Sequence, residues 1–234
     1  MSGPGTAMVL AAGLGARMGA LTRDRPKPLL RAGGRALIDH ALDRAEEAGV
    51  SRAVVNLHWQ AEALRAHLTD RTRPKIVFSD ETERLMETGG GIAKALPLLG
   101  KDPAYVLNSD AVFAGPPPLA QLAEAWDGSR MDALLLLVPR AEARAYTRAG
   151  DFRLGPDGRP ERRGAAATAP WVYAGAQIVR PEVFAGVAEG PFSANPVWDR
   201  LLAAGRLFAV THPGPWVDVG TPAGLAAADA LLGG

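Results

Sequence analysis

Short apolar runs alternate with amphipathic helical patterns through the first half of the chain, and this alternation constrains the fold most. "AMVLAA" (7–12) reads as a buried strand. "ALIDHALDRAEEAG" (36–49) places Leu37, Ile38, Ala41, Leu42 and Ala45 on one helical face and ends at Gly49. "RAVVNL" (52–57), "KIVFS" (75–79), "AYVLN" (104–108) and "ALLLLV" (133–138) read as strands. "QAEALRAHL" (60–68), "GIAKALPLL" (91–99) and "PLAQLAEAW" (118–126) read as helices between them. Strands separated by helices demand right-handed crossovers and a mostly parallel sheet covered on both faces.

The second half changes character. "GDFRLGPDGRPERR" (150–163) carries hairpin turn chemistry at Pro156, Asp157 and Gly158. "PWVYAGAQIV" (170–179), "RLFAVTH" (206–212) and "WVDVG" (216–220) are strands, "ANPVWDRLLAAG" (194–205) a helix and "PAGLAAADALL" (222–232) a closing helix. There is no internal repeat, and "GPPP" (115–118) is a loop rather than a linker. At 234 residues the expectation is one α/β domain with a sizeable core.

Composition removes several classes. Hydrophobic residues are 47% and charged residues 22%, an ordinary globular balance. The formal net charge of +1, with basic stretches no longer than "TRDRPK" and "RPERR", argues against a nucleic-acid partner. Cysteine is absent, which excludes disulfides, a thiolate nucleophile and zinc–cysteine sites. His40, His58, His67 and His212 lack the spacing of a metal pair on one helix. No apolar stretch approaches the ~20 residues of a bilayer span, and the N-terminus lacks the basic region of a signal peptide, so the expected location is cytoplasmic.

The chemistry gathers around a few segments. "VLAAGLGARM" (9–18) runs from strand into a glycine turn, where Gly13 and Gly15 let backbone amides approach a phosphate and Arg17 adds a charged fork. A dinucleotide fingerprint needs glycine where Met18 stands, and a Walker loop needs a following Gly-Lys. A plain turn is the alternative. In "RPKPLL" (25–30), Pro26 and Pro28 fix the backbone on either side of Lys27. Of 26 basic residues only Lys27, Lys75, Lys94 and Lys101 are lysines, so a lysine here suggests a geometric demand for a compact charge; a solvent-facing loop lysine is the alternative. Asp110 ends a strand, where ligands of open α/β sheets bind; it also reads as a cap or turn residue. Asp218 sits among apolar neighbours in "WVDV", a position that requires a cation or a partner arginine.

Taken together, "LAAGLGARM", "LTRDRPKPLL", "METGGGIAKAL" (86–96), "YVLNSDAVF" (105–113) and "WVDVGTPAGL" (216–225) resemble the sugar-1-phosphate nucleotidyltransferases, over nearly the whole chain. "ETGGG", "GDFRL" and "WVDVGT" are most similar to the branch that joins UTP to N-acetylmuramate α-1-phosphate in peptidoglycan recycling. The resemblance implies a Rossmann-like doubly wound mixed sheet with a smaller antiparallel sugar-binding lobe. It divides 1–234 into a nucleotide-binding half, about 1–113, and a sugar-binding half, about 114–234. It assigns nucleotide contact to Ala11, Ala12, Gly13, Gly15, Arg17, Glu87, Thr88 and Gly89, and catalysis to Arg17, Lys27 and Asp110. Mg²⁺ falls to Asp110 and Asp218. Sugar contact falls to Asn108, Asp151, Gly175 and Asn195.

Several of these positions keep a plainer alternative. Gly89, Gly90 and Gly91 precede a helical pattern and suit either a flat base or a flexible helix entry, while Glu87 and Thr88 suit a cap. Asp151 is equally a turn residue, while helix cap and core are the favoured readings of Asn195 and Trp198. Trp171 and Tyr173 alternate on a strand, which makes one of them core. Arg148 and Arg153 stand near Asp151 as candidates for reading a lactyl carboxylate. Competing readings are dTTP with glucose 1-phosphate, GTP with mannose 1-phosphate, and a non-catalytic nucleotide-sugar sensor. A sensor would be expected to lose the lysine or a metal aspartate. No acyltransferase repeat follows within the 234 residues, so the expectation is a single activity in a monomer or weak homodimer.

Overall fold

The structure is a computed structural model, described over residues 3–187 and 190–233. β1 (Thr6–Leu10) leads into 3-10 turns over Ala16–Thr22 and Lys27–Leu29, then a small ribbon of β2 (Arg31–Ala32) and β3 (Arg35–Ala36). Next come α1 (Leu37–Glu47), β4 (Arg52–Leu57), α2 (Ala61–Leu68), β5 (Lys75–Asp80), α3 (Glu87–Lys94), α4 (Leu96–Leu99), β6 (Ala104–Asn108) and β7 (Ala111–Phe113). The second half holds α5 (Pro118–Ala125), β8 (Ala133–Pro139), β9 (Ala143–Arg144), β10 (Phe152–Leu154), β11 (Pro160–Arg162) and β12 (Trp171–Val179). α6 (Asn195–Ala203), β13 (Leu207–Thr211), β14 (Trp216–Asp218) and α7 (Pro222–Leu232) complete it.

The main sheet runs β11-β10-β12-β6-β1-β4-β5, with β8 on β12 and β13 on β8. β5, β4, β1 and β6 are parallel; β12 runs antiparallel to β6, β8 and β10. Side chains alternate across a strand, so each strand feeds two cores. Ala7, Val9, Val55, Tyr105 and Leu107 face one core with α1, α2 and α5; Met8, Val54 and Val106 face the other with α3, α4 and α6. This is the mixed, doubly wound sheet expected, with the antiparallel portion continuous with the parallel one through β12 and β6. The hairpin falls where predicted, with Gly158 at φ 75 between β10 and β11.

Two features position the site. A third apolar cluster joins Met18 and Leu30, either side of Lys27, to Val112, Val217, Val219 and Ala228. It presses the 16–30 segment onto the small sheet β7-β14-β9 and onto α7. The second feature is a bulge in β12 between Tyr173 and Gln177, where Gly175 adopts φ 78. β12 pairs with β10 at Trp171 and with β6 from Ala176 to Val179, so the sheet forks there and leaves a hollow.

Asp132 ties three strands in this half. Its carboxylate takes Arg206 as a fork, at 2.8 Å from Nη2 and 3.1 Å from Nε, with Arg180 Nε at 3.4 Å. The Arg206 hydrogen bonds hold the Asp132 carboxyl below its usual range, the charges of Arg206 and Arg180 adding to them against the opposing effect of burial. A depressed carboxyl contributes stability that is present above the unfolded value of 3.8 and lost as pH falls through the lower folded value. Asp132→Asn is therefore expected to cost about 1 kcal/mol at pH 7, a gap that closes on acidification. Melting curves of both proteins from pH 7 to pH 3 check this; a gap that persists at the acid end would contradict it.

Candidate active site

Three adjoining hollows open along the carboxyl ends of the parallel strands, and Leu10 lines all of them. This is where ligands of an open α/β sheet bind. The first, about 250 Å³, is lined by Ala11, Gly13, Gly15, Ala16, Arg17, Lys27, Pro28, Ser109, Asp110 and Gly220. After β1 the chain enters a 3-10 turn rather than an α-helix, opened by Gly15 at φ 66. A Cβ on Gly15 would stand 2.9 Å from Thr22 and 3.0 Å from Lys27, so the loop closes tightly over the lysine stem. Lys27 begins the next 3-10 turn, with Pro26 ahead of it and Pro28 within it.

Lys27 and Asp110 form an ion pair, their side chains 12% and 24% exposed. Asp218 lies one strand away. Asp218 pairs with Ala111 in the β7–β14 ladder, and the Val219 amide donates to the Asp110 carbonyl at 2.9 Å. Two carboxylates from distant parts of the chain thus meet on one edge. Burial pushes the Asp218 carboxyl up, the Asp110 charge adds to this, and Arg148, Lys27 and Arg17 oppose it. Arg148 Nη2 donates to Asp218 Oδ2 at 2.6 Å, so the partner-arginine alternative is realised alongside the convergence with Asp110. An all-oxygen carboxylate pair carrying mutual repulsion fits a hard divalent cation that completes its shell with phosphate oxygens. Among the described residues no third acidic or histidine side chain joins them.

The second hollow, about 210 Å³, is lined by Ala12, Gly13, Asn56, Leu85, Glu87, Thr88, Asn108 and Asp110 as well as Leu10. Its floor holds a network that sequence reasoning missed. The Ala11 amide donates to Asn56 Oδ1 at 2.6 Å, and Asn56 Nδ2 donates to Glu81 Oε1 at 2.8 Å. Glu81 is fully buried and also accepts the Met86 amide at 3.0 Å. The network clamps the glycine loop to the 81–88 segment. The available signal was Asn56, a polar residue at the end of an apolar strand.

Gly89 corrects an expectation. The glycine triplet lies inside α3 rather than before it, and all three residues are buried. The amides of Gly89 and Gly90 both donate to the Phe192 carbonyl, at 2.8 and 2.9 Å, and neither lines a hollow. A Cβ on Gly89 would stand 2.5 Å from the Phe192 ring, and one on Gly91 would stand 2.9 Å from Glu81 Oε1. The triplet therefore serves close packing. Glu87 and Thr88 do not cap their own helix; the Thr88 hydroxyl accepts the Ala194 amide at the start of α6.

The third hollow, about 260 Å³, occupies the fork in the sheet. Asn108, Asp151 and Asn195 line it, with Thr88, Arg148, Arg162, Tyr173, Gln177 and Trp198. Asp151 Oδ2 accepts the Tyr173 amide at 2.9 Å. Asn195 is the first residue of α6 and makes no side-chain cap, and Trp198 Nε1 donates to Gln177 at 3.1 Å. Gly175 does not line the hollow. A Cβ there would stand 3.0 Å from Asn108, so this glycine makes room for that side chain instead. Arg153 is likewise outside, paired across the hairpin with Glu161.

Comparison with known proteins bears on this cleft. Residues 7–149 match the MobA-like NTP transferase domain. Over 98% of this chain and 97% of the relative, 46% of residues are identical to the N-acetylmuramate alpha-1-phosphate uridylyltransferase of Caulobacter vibrioides. The chain belongs to the sugar-1-phosphate nucleotidyltransferases. A second relative of the same name, from Neisseria meningitidis serogroup B, is 37% identical over 97% of this chain and 98% of its own. A probable mannose-1-phosphate guanylyltransferase of Oryza sativa is 30% identical over 92% of this chain and 61% of its own. The inositol-1-phosphate CTP transferase of T. maritima superimposes with TM-score 0.82 at 17% identity, covering 99% of this chain and 96% of its own. HddC of Yersinia pseudotuberculosis, complexed with GMP-PN, gives 0.77 at 21%, covering 97% and 98%. These structures share the fold of this nucleotidyltransferase. No helix among its described residues is long and apolar enough to cross a membrane.

Proposed function

We propose that this nucleotidyltransferase transfers the uridylyl group of UTP to N-acetylmuramate α-1-phosphate, giving the UDP-sugar and pyrophosphate. The reading is carried by the juxtaposition of Asp110, Asp218 and Lys27 beneath the Gly13–Arg17 loop, with a polar hollow beside it. The two relatives named uridylyltransferases support the choice of substrates. The half up to about residue 113 takes the nucleotide and the half from about 114 takes the sugar. The reaction serves cell-wall sugar recycling in the cytoplasm.

An oxygen of the sugar phosphate attacks the α-phosphorus of UTP in line, and pyrophosphate leaves on the opposite side. The second pKa of a phosphomonoester is about 6, so the nucleophile is already ionised near neutral pH and no general base is required. The chain has to bring two anions together. Lys27 leaves Asp110 for the reacting phosphates, and its short 3-10 turn keeps the ammonium in place. Arg17 and the amides of the 13–17 loop hold the departing β- and γ-phosphates. Ala12, Glu87 and Thr88 border the base, while Asn108, Asp151 and Asn195 take the sugar. Asp110 and Asp218 would hold Mg²⁺, which supplies neutralising charge between the two phosphates.

A panel settles the substrates. UTP, dTTP, GTP and CTP are each paired with the 1-phosphates of N-acetylmuramate, N-acetylglucosamine, glucose and mannose, and pyrophosphate release is followed. The highest kcat/KM is expected for UTP with N-acetylmuramate 1-phosphate. A higher value for GTP with mannose 1-phosphate would overturn the assignment.

A further inference from the structure

The sugar hollow is walled by two arginines with hydrogen-bond donors to spare. Two arginines line it, Arg148 and Arg162, against one carboxylate, Asp151. The two arginines belong to opposite ends. Arg148 is bound to Asp218 and stacks over Tyr146 at 4.8 Å, which assigns it to the phosphate end. Arg162 closes β11, on the far side of the fork, and is held on four sides. Its Nε donates to Asp199 at 2.7 Å and its Nη2 to the Asn195 carbonyl at 3.1 Å. Its guanidinium carbon lies 5.0 Å from the Phe152 ring centre and 5.5 Å from that of Trp198. A guanidinium has five N–H donors, and these two bonds leave three of them without a protein partner among the described residues. Asp199 alone would not require the ring stacking or a place in the wall of the hollow.

We propose that Arg162 is the specificity-determining residue of the sugar site, reading a carboxylate on the sugar as a fixed fork. The proposal rests on the function assigned above, in which the acceptor is an acidic sugar 1-phosphate. N-acetylmuramate carries its lactyl carboxylate as an ether on the oxygen of carbon 3, away from the phosphate at carbon 1. The substrate thus has two anionic ends, and the hollow has a cation at each. Contact with the Phe152 and Trp198 rings partly desolvates the guanidinium, and its bonds to Asp199 and the Asn195 carbonyl hold its orientation, which favours a planar, bidentate anion. Asp151 and Asn195, between the ends, remain for hydroxyl and acetamido groups.

The test compares N-acetylmuramate 1-phosphate with N-acetylglucosamine 1-phosphate, which differ by the lactyl group alone. The ratio of their kcat/KM values is measured for the wild type, Arg162→Gln, Arg162→Lys and Asp199→Asn. For Arg162→Gln the ratio is expected to fall about a hundredfold, mainly through KM for the lactyl sugar. Arg162→Lys keeps the charge without the fork and is expected to fall about tenfold. Asp199→Asn loosens the tether on Arg162 and is expected to lower the ratio a few-fold, with N-acetylglucosamine 1-phosphate left near its wild-type value. If Arg162→Gln depresses both substrates equally and keeps the ratio, Arg162 is a structural residue and the proposal is overturned, while the assigned function stands. A wild type that prefers a neutral sugar overturns both. Should Arg162→Gln fail to fold, an unchanged ratio in Arg162→Lys overturns the proposal on its own.

Discussion

Asp218→Asn is expected to lose Mg²⁺-dependent nucleotidyl transfer while making the metal-free protein more resistant to heat. Both effects have one origin. Asp218 is 16% exposed, and its carboxyl is pushed up first by burial and then by the neighbouring Asp110 charge. A raised carboxyl binds its proton more tightly in the folded state, so its ionisation weakens the fold as pH climbs above the unfolded value of 3.8. Asparagine keeps the shape, still accepts a hydrogen bond from Arg148, and carries no charge to repel Asp110. The gain in Tm is thus expected at neutral pH and absent at low pH. Catalysis moves the other way, because half of the carboxylate pair that would hold the cation is gone; turnover falls about a hundredfold or more. Melting curves with UTP, with and without Mg²⁺, separate the two effects. If the variant is stabilised by Mg²⁺ as strongly as the wild type, Asp218 does not hold the metal.

Lys27→Ala is expected to reduce kcat about a hundredfold, equivalent to ~3 kcal/mol of transition-state stabilisation. Uridine nucleotide binding should change far less, since other residues border the base. Lys27→Arg should recover little. The lysine stem lies against the Gly15–Thr22 turn, where a Cβ on Gly15 would already reach it at 3.0 Å, and the larger guanidinium has no room to replace a compact ammonium. Steady-state kinetics on the three proteins with saturating UTP would decide. An alanine variant within a few-fold of wild type would remove Lys27 from the chemistry.

Much of this architecture was legible in the residues. Leu37, Ile38, Ala41, Leu42 and Ala45 are the buried face of α1, and the strands at 52, 75, 104 and 133 begin where apolar runs begin. Periodicity reports burial directly, so these elements could be read locally. The same holds for the hairpin turn at 156–158, whose residues dictate their own backbone. What the residues concealed was relational. The glycines at 89–91 suggested open backbone, yet their purpose is to admit Phe192 and Glu81, a fact that depends on distant chain. Gly175 likewise leaves space beside Asn108, a relation that only the folded chain displays. Glu81 gave no sign of being fully buried, because an acidic residue in a polar loop looks solvated until its partners are known. Arg153 and Arg162 are two of several arginines along one hairpin and look alike in sequence. Only the pairing of β10 with β11, and the fork in the sheet, separates the one at the hollow from the one outside it.

The apolar cluster that unites Met18 and Leu30 with Val217, Val219 and Ala228 has a consequence for biosynthesis. β1, β4, β5 and β6, and the glycine turn after β1, all precede residue 216 in the order of synthesis. Until β14 and α7 arrive, Lys27 lacks its anvil and Asp110 its companion. Catalytic competence therefore waits for β14 and α7 to dock, since they bring Asp218 beside Asp110 and close the apolar cluster that flanks Lys27.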